Sequence, residues 1–146
     1  MAVLAFYVVR RHRRGDFADV DVSTREQRPA VYGVAFVSLA AAAVALHVSG
    51  SNPIAVRGAA VAAGLFAISA LVNVRAKASL HCAFAALAAG IAWPSSALAG
   101  VSFVVIAVVV AWGRVAYGRH SRSEVIVGLG LGALAALVFL GWCARA

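Results

Sequence analysis

Charge is scarce in this chain of 146 residues: 12% are Asp, Glu, Lys or Arg, while 64% are hydrophobic. A soluble domain carries about a quarter charged and about half apolar residues. The shortage leaves too little polar surface to face water, so lipid is the solvent for most of the chain. Acidic residues are rarer still. There are five, Asp16, Asp19, Asp21, Glu26 and Glu124, and none lies in the middle of an apolar run. A small proton-coupled exporter needs an ionisable group inside a helix. Arg57 and Asn73 stand too near helix ends to serve, and Arg57 is expected to snorkel. A multidrug-type transporter is therefore disfavoured. The two cysteines, Cys82 and Cys143, sit in apolar segments far apart. That excludes a disulfide framework and a metal-ligand set, and both read as buried small hydrophobes. Basic amphipathic faces and aromatic–basic interleaving are also missing, so the net charge of +8 is not assigned to nucleic acid. It serves anionic headgroups and membrane orientation. Alternating polarity, which a β-barrel requires, is absent.

What remains is apolar helix. Five segments qualify as membrane spans, at about 30–48, 54–74, 79–93, 97–112 and 124–142. The shorter ones reach roughly 24 Å, somewhat under the ~30 Å hydrocarbon core, as suits helices whose ends border a protein cavity. The predicted fold is an all-α polytopic membrane bundle of about five transmembrane helices plus a short N-terminal apolar helix. It forms a single domain over 1–146, with 1–29 as N-terminal segment and 30–146 as the bundle. Met1 to Val9 is too short to span, and its arginines follow rather than precede the apolar stretch, unlike a signal peptide. It reads as an interfacial segment or as the tail of a helix that begins outside this chain. Small residues are abundant, and Gly128-x-x-x-Gly132 is expected to serve packing within the chain rather than dimerisation.

The connectors Ser49-Gly50-Ser51-Asn52-Pro53 and Pro94-Ser95-Ser96 are short and uncharged. Three polar islands fall on the opposite side. Of 13 Lys and Arg, all but Arg57 and Arg145 belong to the island side, which the positive-inside rule places in the cytoplasm. Trp93 and Trp142 mark the bare interface and Trp112 the charged one.

The first island, Arg25-Glu26-Gln27-Arg28-Pro29, ends in a proline suited to open a helix. Arg25 and Arg28 either flank one pocket or form a solvated charge run at the membrane edge. In the second, Lys77-Ala78-Ser79-Leu80-His81, Ser79 occupies a natural N-cap position. His81 then projects from a first turn, where backbone N–H groups and the helix dipole favour an anion; packing is its other reading. The third island runs from Gly113 to Glu124. Glu124 follows His120 by four residues, within reach of the imidazole. A carboxylate on one ring nitrogen fixes the tautomer and leaves the other free to attack. Arg114 supplies a planar fork for phosphate oxygens. The plainer alternative is a basic connector that holds two helices in register.

These residues resemble the type 2 phosphatidic acid phosphatase family of membrane lipid phosphatases, relatives of vanadium haloperoxidases. Its pattern is K-x6-R-P, P-S-G-H and S-R-x5-H-x3-D. Arg114, His120 and Glu124 match the third motif in spacing, Ser79 and His81 the second, and Arg28-Pro29 the first. The chain departs from the pattern at Asp21 for lysine, Ala78 and Leu80 for proline and glycine, Gly113 for serine, and Glu124 for aspartate. The first and second motifs are therefore degenerate. Lys77 or Arg25 can replace the missing cation, with Lys77 preferred because it adjoins the helix start.

The resemblance implies two-step hydrolysis without cofactor or metal. His120 attacks phosphorus to form a phosphohistidine, held by Glu124. His81 protonates the leaving alcohol and then helps activate water. Arg28, Arg114 and Lys77, with Arg25, Ser79 and backbone amides, stabilise the transition state. The implied substrate is a lipid or isoprenoid phosphate or diphosphate, met at the bilayer, and the location a bacterial-type inner (plasma) membrane with the site on the cytoplasmic face. The alternative is a catalytically weak family member that binds anionic lipid or supports another membrane enzyme. Oligomeric state is left open.

Overall fold

The computed structural model describes residues 2–18, 22 and 27–145. Six helices and no strand occur among them: α1 (Ala2–Arg13), α2 (Arg28–Val48), α3 (Pro53–Asn73), α4 (Leu80–Ala92), α5 (Ala97–Ala116) and α6 (Arg122–Ala144). The helices α2, α3, α5 and α6 are long and apolar enough to cross a membrane, and α4 is a shorter apolar helix. At 1.5 Å per residue the long ones reach about 30 Å or more, whereas α4 reaches only ~20 Å.

Helix starts follow local chemistry. Pro29 and Pro53 occupy the first turns of α2 and α3, where a missing N–H costs nothing. Asn52 caps α3 and Ser96 caps α5 through their side-chain oxygens. The α2–α3 turn closes on Gly50 in the left-handed region, at φ +68°. The helix α5 runs four residues beyond the expected Trp112, because nothing in Gly113–Ala116 breaks it. Arg114 thus belongs to its last turn, not to a connector. The stop comes at Gly118, with φ +63°.

In the core, Val61 and Leu65 of α3, Ala83 and Leu87 of α4, and Ala136 and Phe139 of α6 form one buried cluster. The short α4 packs against α6, α5 and α3, and Ala78 and Ser79, just before it, are buried in protein. Small residues permit this closeness. A methyl on Gly128 would strike the Ser79 carbonyl, one on Gly132 the Ala83 carbonyl and Ala86, and one on Gly90 the Ala136 side chain. Both glycines of the 128/132 pair therefore serve α4–α6 packing inside the chain.

A second cluster joins Tyr32 and Ala35 of α2 to Phe66 of α3, with Leu4 of α1 and Leu80 and Phe84 of α4 against it. Outward faces stay apolar: Leu98, Val101, Val105, Val108 and Val109 of α5 are all exposed. An apolar exterior of this extent is consistent with an integral membrane protein. At the end bearing the uncharged connectors, Arg57 lies over the Trp142 ring, 6.0 Å from its centroid. Cys82 is buried, Cys143 half-buried, and neither is bridged.

Candidate functional site

The loop between α5 and α6 is tightly specified. The N–H groups of Arg119 and His120 both donate to the Arg114 carbonyl, each at 3.0 Å. Ser121 then opens α6 with a reciprocal capping box: the Glu124 amide donates to Ser121 Oγ (3.3 Å), and the Ser121 amide to Glu124 Oε2 (3.2 Å). The same carboxylate oxygen lies 2.8 Å from His120 Nδ1 and 3.4 Å from Lys77 Nζ. One oxygen thus ties together the cap, the imidazole and the connector between α3 and α4.

Glu124 accepts a hydrogen bond from Nδ1–H, which keeps the proton on that nitrogen and leaves the lone pair on Nε2. The His120 side chain is 10% exposed. Burial, aided by the nearby Arg114 and Lys77 charges, holds its pKa below the ordinary 6.5 against the opposing pull of Glu124. The imidazole is therefore neutral at pH 7, the form in which nitrogen is a nucleophile.

The 74–79 connector is anchored from three sides. Lys77 Nζ donates to the Arg119 carbonyl at 3.4 Å, and the Ser79 amide donates to the Glu124 carbonyl at 3.1 Å. The Ala78 amide donates to Asn73 Oδ1 at 3.4 Å. Asn73 is buried and also donates through Nδ2 to Tyr32 Oη (2.6 Å) and to the Ser69 carbonyl (2.9 Å). It thereby joins α2, α3 and the connector. Ser79 does occupy the N-cap position of α4, but its hydroxyl makes no capping bond. Its Oγ is buried without a hydrogen-bond partner among the described residues. The carbonyl of Ser79 takes the Ala83 amide, and the close approach of Gly128 holds Ser79 by its backbone.

Arg28, Lys77, His81, Arg114, Arg119 and His120 all line one cavity of about 510 Å³. They come from the start of α2, the α3–α4 connector, the start of α4, the end of α5 and the loop after it. Arg28 donates from Nε to the Val22 carbonyl at 3.3 Å. His81, the second residue of α4, is solvent-exposed on the cavity wall. Arg25, and Asp21 at the first-motif lysine position, lie outside the described residues. Tyr32 and Asn73 add two polar groups, and the rest of the lining is apolar, with Leu4 and Val8 of α1, Phe66 of α3 and Phe84 of α4. Among the described residues no three His, Cys, Asp or Glu side chains converge as metal ligands would.

Three participants escaped the sequence reading. Ser121-x-x-Glu124 is a capping-box pattern legible in the chain, and it explains why Glu124 stands where it does. Arg119 sits inside the third island but outside the spacing that drew attention to Arg114. Asn73 offered only a polar residue near the end of an apolar run.

The fold and cavity define a class: a membrane-type helix bundle with a basic, histidine-bearing pocket at one end and apolar walls behind it. The chain matches no family model, no curated protein and no solved structure.

Proposed function

We propose that this protein is a membrane-embedded phosphatase of the type 2 phosphatidic acid phosphatase kind. It hydrolyses a lipid or polyprenyl phosphate or diphosphate through a phosphohistidine. The observation that carries this reading is the 2.8 Å contact of His120 Nδ1 with Glu124 beside a cavity lined by Arg28, Lys77, Arg114 and Arg119. An oriented, neutral imidazole facing a cluster of cations suits attack on a phosphoryl group better than any other common chemistry.

In the first step the Nε2 lone pair of His120 forms a bond to phosphorus as the bond from phosphorus to the ester oxygen breaks. Protonated His81 gives its proton to that oxygen, releasing the alcohol or the shortened phosphate. Glu124 balances the positive charge that develops on the phosphorylated ring. In the second step neutral His81 takes a proton from water, whose oxygen attacks phosphorus. The P–N bond breaks, its electron pair returns to Nε2, and phosphate leaves. The cations stabilise the equatorial oxygens in both transition states, with Arg28 and Arg114 as the principal pair and Lys77 shared with Glu124. Charge asymmetry between the two ends of the bundle supports a cytoplasmic site in a bacterial-type inner membrane.

Phosphate release from phosphatidate, phosphatidylglycerophosphate, prenyl phosphates and prenyl diphosphates, measured in detergent with EDTA, tests the proposal. Release is expected from wild type, and His120→Ala should reduce it by about three orders of magnitude, the scale seen when a nucleophile leaves a composite site. Release indifferent to that substitution, or none from folded protein, overturns the reading. Binding of these lipids without turnover would identify the protein instead as an anionic-lipid-binding or accessory member of such a family.

A further inference from the structure

The 12 residues of α1 extend about 18 Å. The helix is held in one place. Leu4 packs on the Tyr32–Ala35–Phe66 cluster. Past the C-terminal end of the helix the chain folds back: Arg11 pairs with Asp16 at 2.8 Å, His12 Nδ1 meets the Phe17 carbonyl at 3.0 Å, and Gln27 donates to the Asp16 carbonyl at 3.0 Å. Phe17 is buried, edge-on to Tyr7 at 6.0 Å.

Held this way, α1 turns Leu4, Ala5, Val8 and Val9 toward the cavity that His120 lines. These positions recur four apart in two adjacent rows, which is one stripe of a helix. Val3 and Phe6 lie off that stripe and are well exposed. Phe66 and Phe84, with ring centroids 4.6 Å apart, line the same cavity. One continuous space therefore has a cationic end and an apolar end. Apolar side chains facing an open cavity gain from an apolar occupant, while the cationic end calls for an anion. A single molecule satisfies both when a hydrocarbon chain is attached directly to the phosphate.

We propose that α1 is the hydrocarbon-recognising wall of this site: Leu4, Val8 and Val9, together with Phe66 and Phe84, receive the first carbons of the chain esterified to the phosphate. This rests on the phosphate-ester reading of the cationic end. The wall makes α1 a specificity element, favouring esters of long alkyl or prenyl alcohols over water-soluble phosphates.

The test uses the full chain in detergent and a decyl phosphate carrying a photoactivatable diazirine on its alkyl chain. After irradiation and trypsin cleavage, adducts are expected on the peptide ending at Arg10, and unlabelled decyl phosphate should compete them away. Val8→Trp fills the apolar end and should cut this labelling about tenfold, the equivalent of one to two methylenes denied burial. Val3→Trp adds the same ring on the outward face and should leave labelling at the wild-type level. Adducts that cannot be competed, or that fall only on exposed helices such as α5, overturn the inference, because they mark bulk-detergent contact. Equal labelling of the two tryptophan variants overturns it as well. Phosphate release measured in parallel separates the two proposals: release without competable α1 labelling sinks the wall alone, and competable labelling without release sinks the phosphatase reading alone.

Discussion

Several interactions converge on Glu124. Its side chain completes a helix cap, accepts a hydrogen bond from His120 Nδ1 and pairs with Lys77. Replacement by Gln keeps the length and one carbonyl acceptor but removes the charge. The charge of Glu124 helps to raise the His120 pKa, so its loss lowers that pKa further. In wild type, kcat/KM should rise with pH as free His120 loses its proton, with the acid limb below pH 6.5. In Glu124→Gln that limb should move to lower pH, while kcat falls about 10²- to 10⁴-fold, the range for removing a residue that orients a catalytic histidine. A role in helix capping alone would leave the limb where it is. The pH profiles of the two proteins, measured on one lipid phosphate, decide between them.

Helices α4 and α6 form the most intimate pair in the bundle, and glycine makes it so. The Ser79 backbone sits on Gly128 and the Ala83 carbonyl on Gly132. Gly132→Ala should therefore destabilise the folded protein by about 1–3 kcal/mol, the usual cost of overpacking a close contact. Gly130 on the same helix has open space around it, and Gly130→Ala should change stability by less than about 0.5 kcal/mol. Unfolding in mixed micelles, followed by circular dichroism, reads both. Equal effects would show that α4 and α6 do not approach as described. Displacement of α4 also reaches the site, because its first turn carries His81 and its connector carries Lys77.

The chain as a whole alternates between two ends of the bundle. Lys77, His81, Arg114 and His120 share a cavity at one end, while residues 49–52 and 93–96 join helices at the other. With the two native cysteines replaced by alanine, Ser51→Cys and Ser95→Cys should react with a membrane-impermeant maleimide on intact cells. Arg122→Cys should react only after lysis. The reverse pattern would place the cavity outside and overturn the cytoplasmic orientation.

Composition and local spacing were enough to read the helical class, the positions of the long spans and the i,i+4 pairing of His120 with Glu124. Each depends on residues within a few turns of one another: hydrophobic length, proline and asparagine at helix starts, one carboxylate a turn from one imidazole. The extension of α5 through Arg114 also has a local cause, since no breaker precedes Gly118. Other features depend on residues far apart in the chain, and local spacing does not reveal such contacts. Asn73 meets Tyr32 across 41 positions, and Lys77 meets the Arg119 carbonyl across 42. The backbone of Ser79, rather than its hydroxyl, is engaged because Gly128 lets α6 come close. That one stripe of α1 lines the cavity likewise depends on distant residues, because it follows from the packing of α1 beside α2 and Phe66.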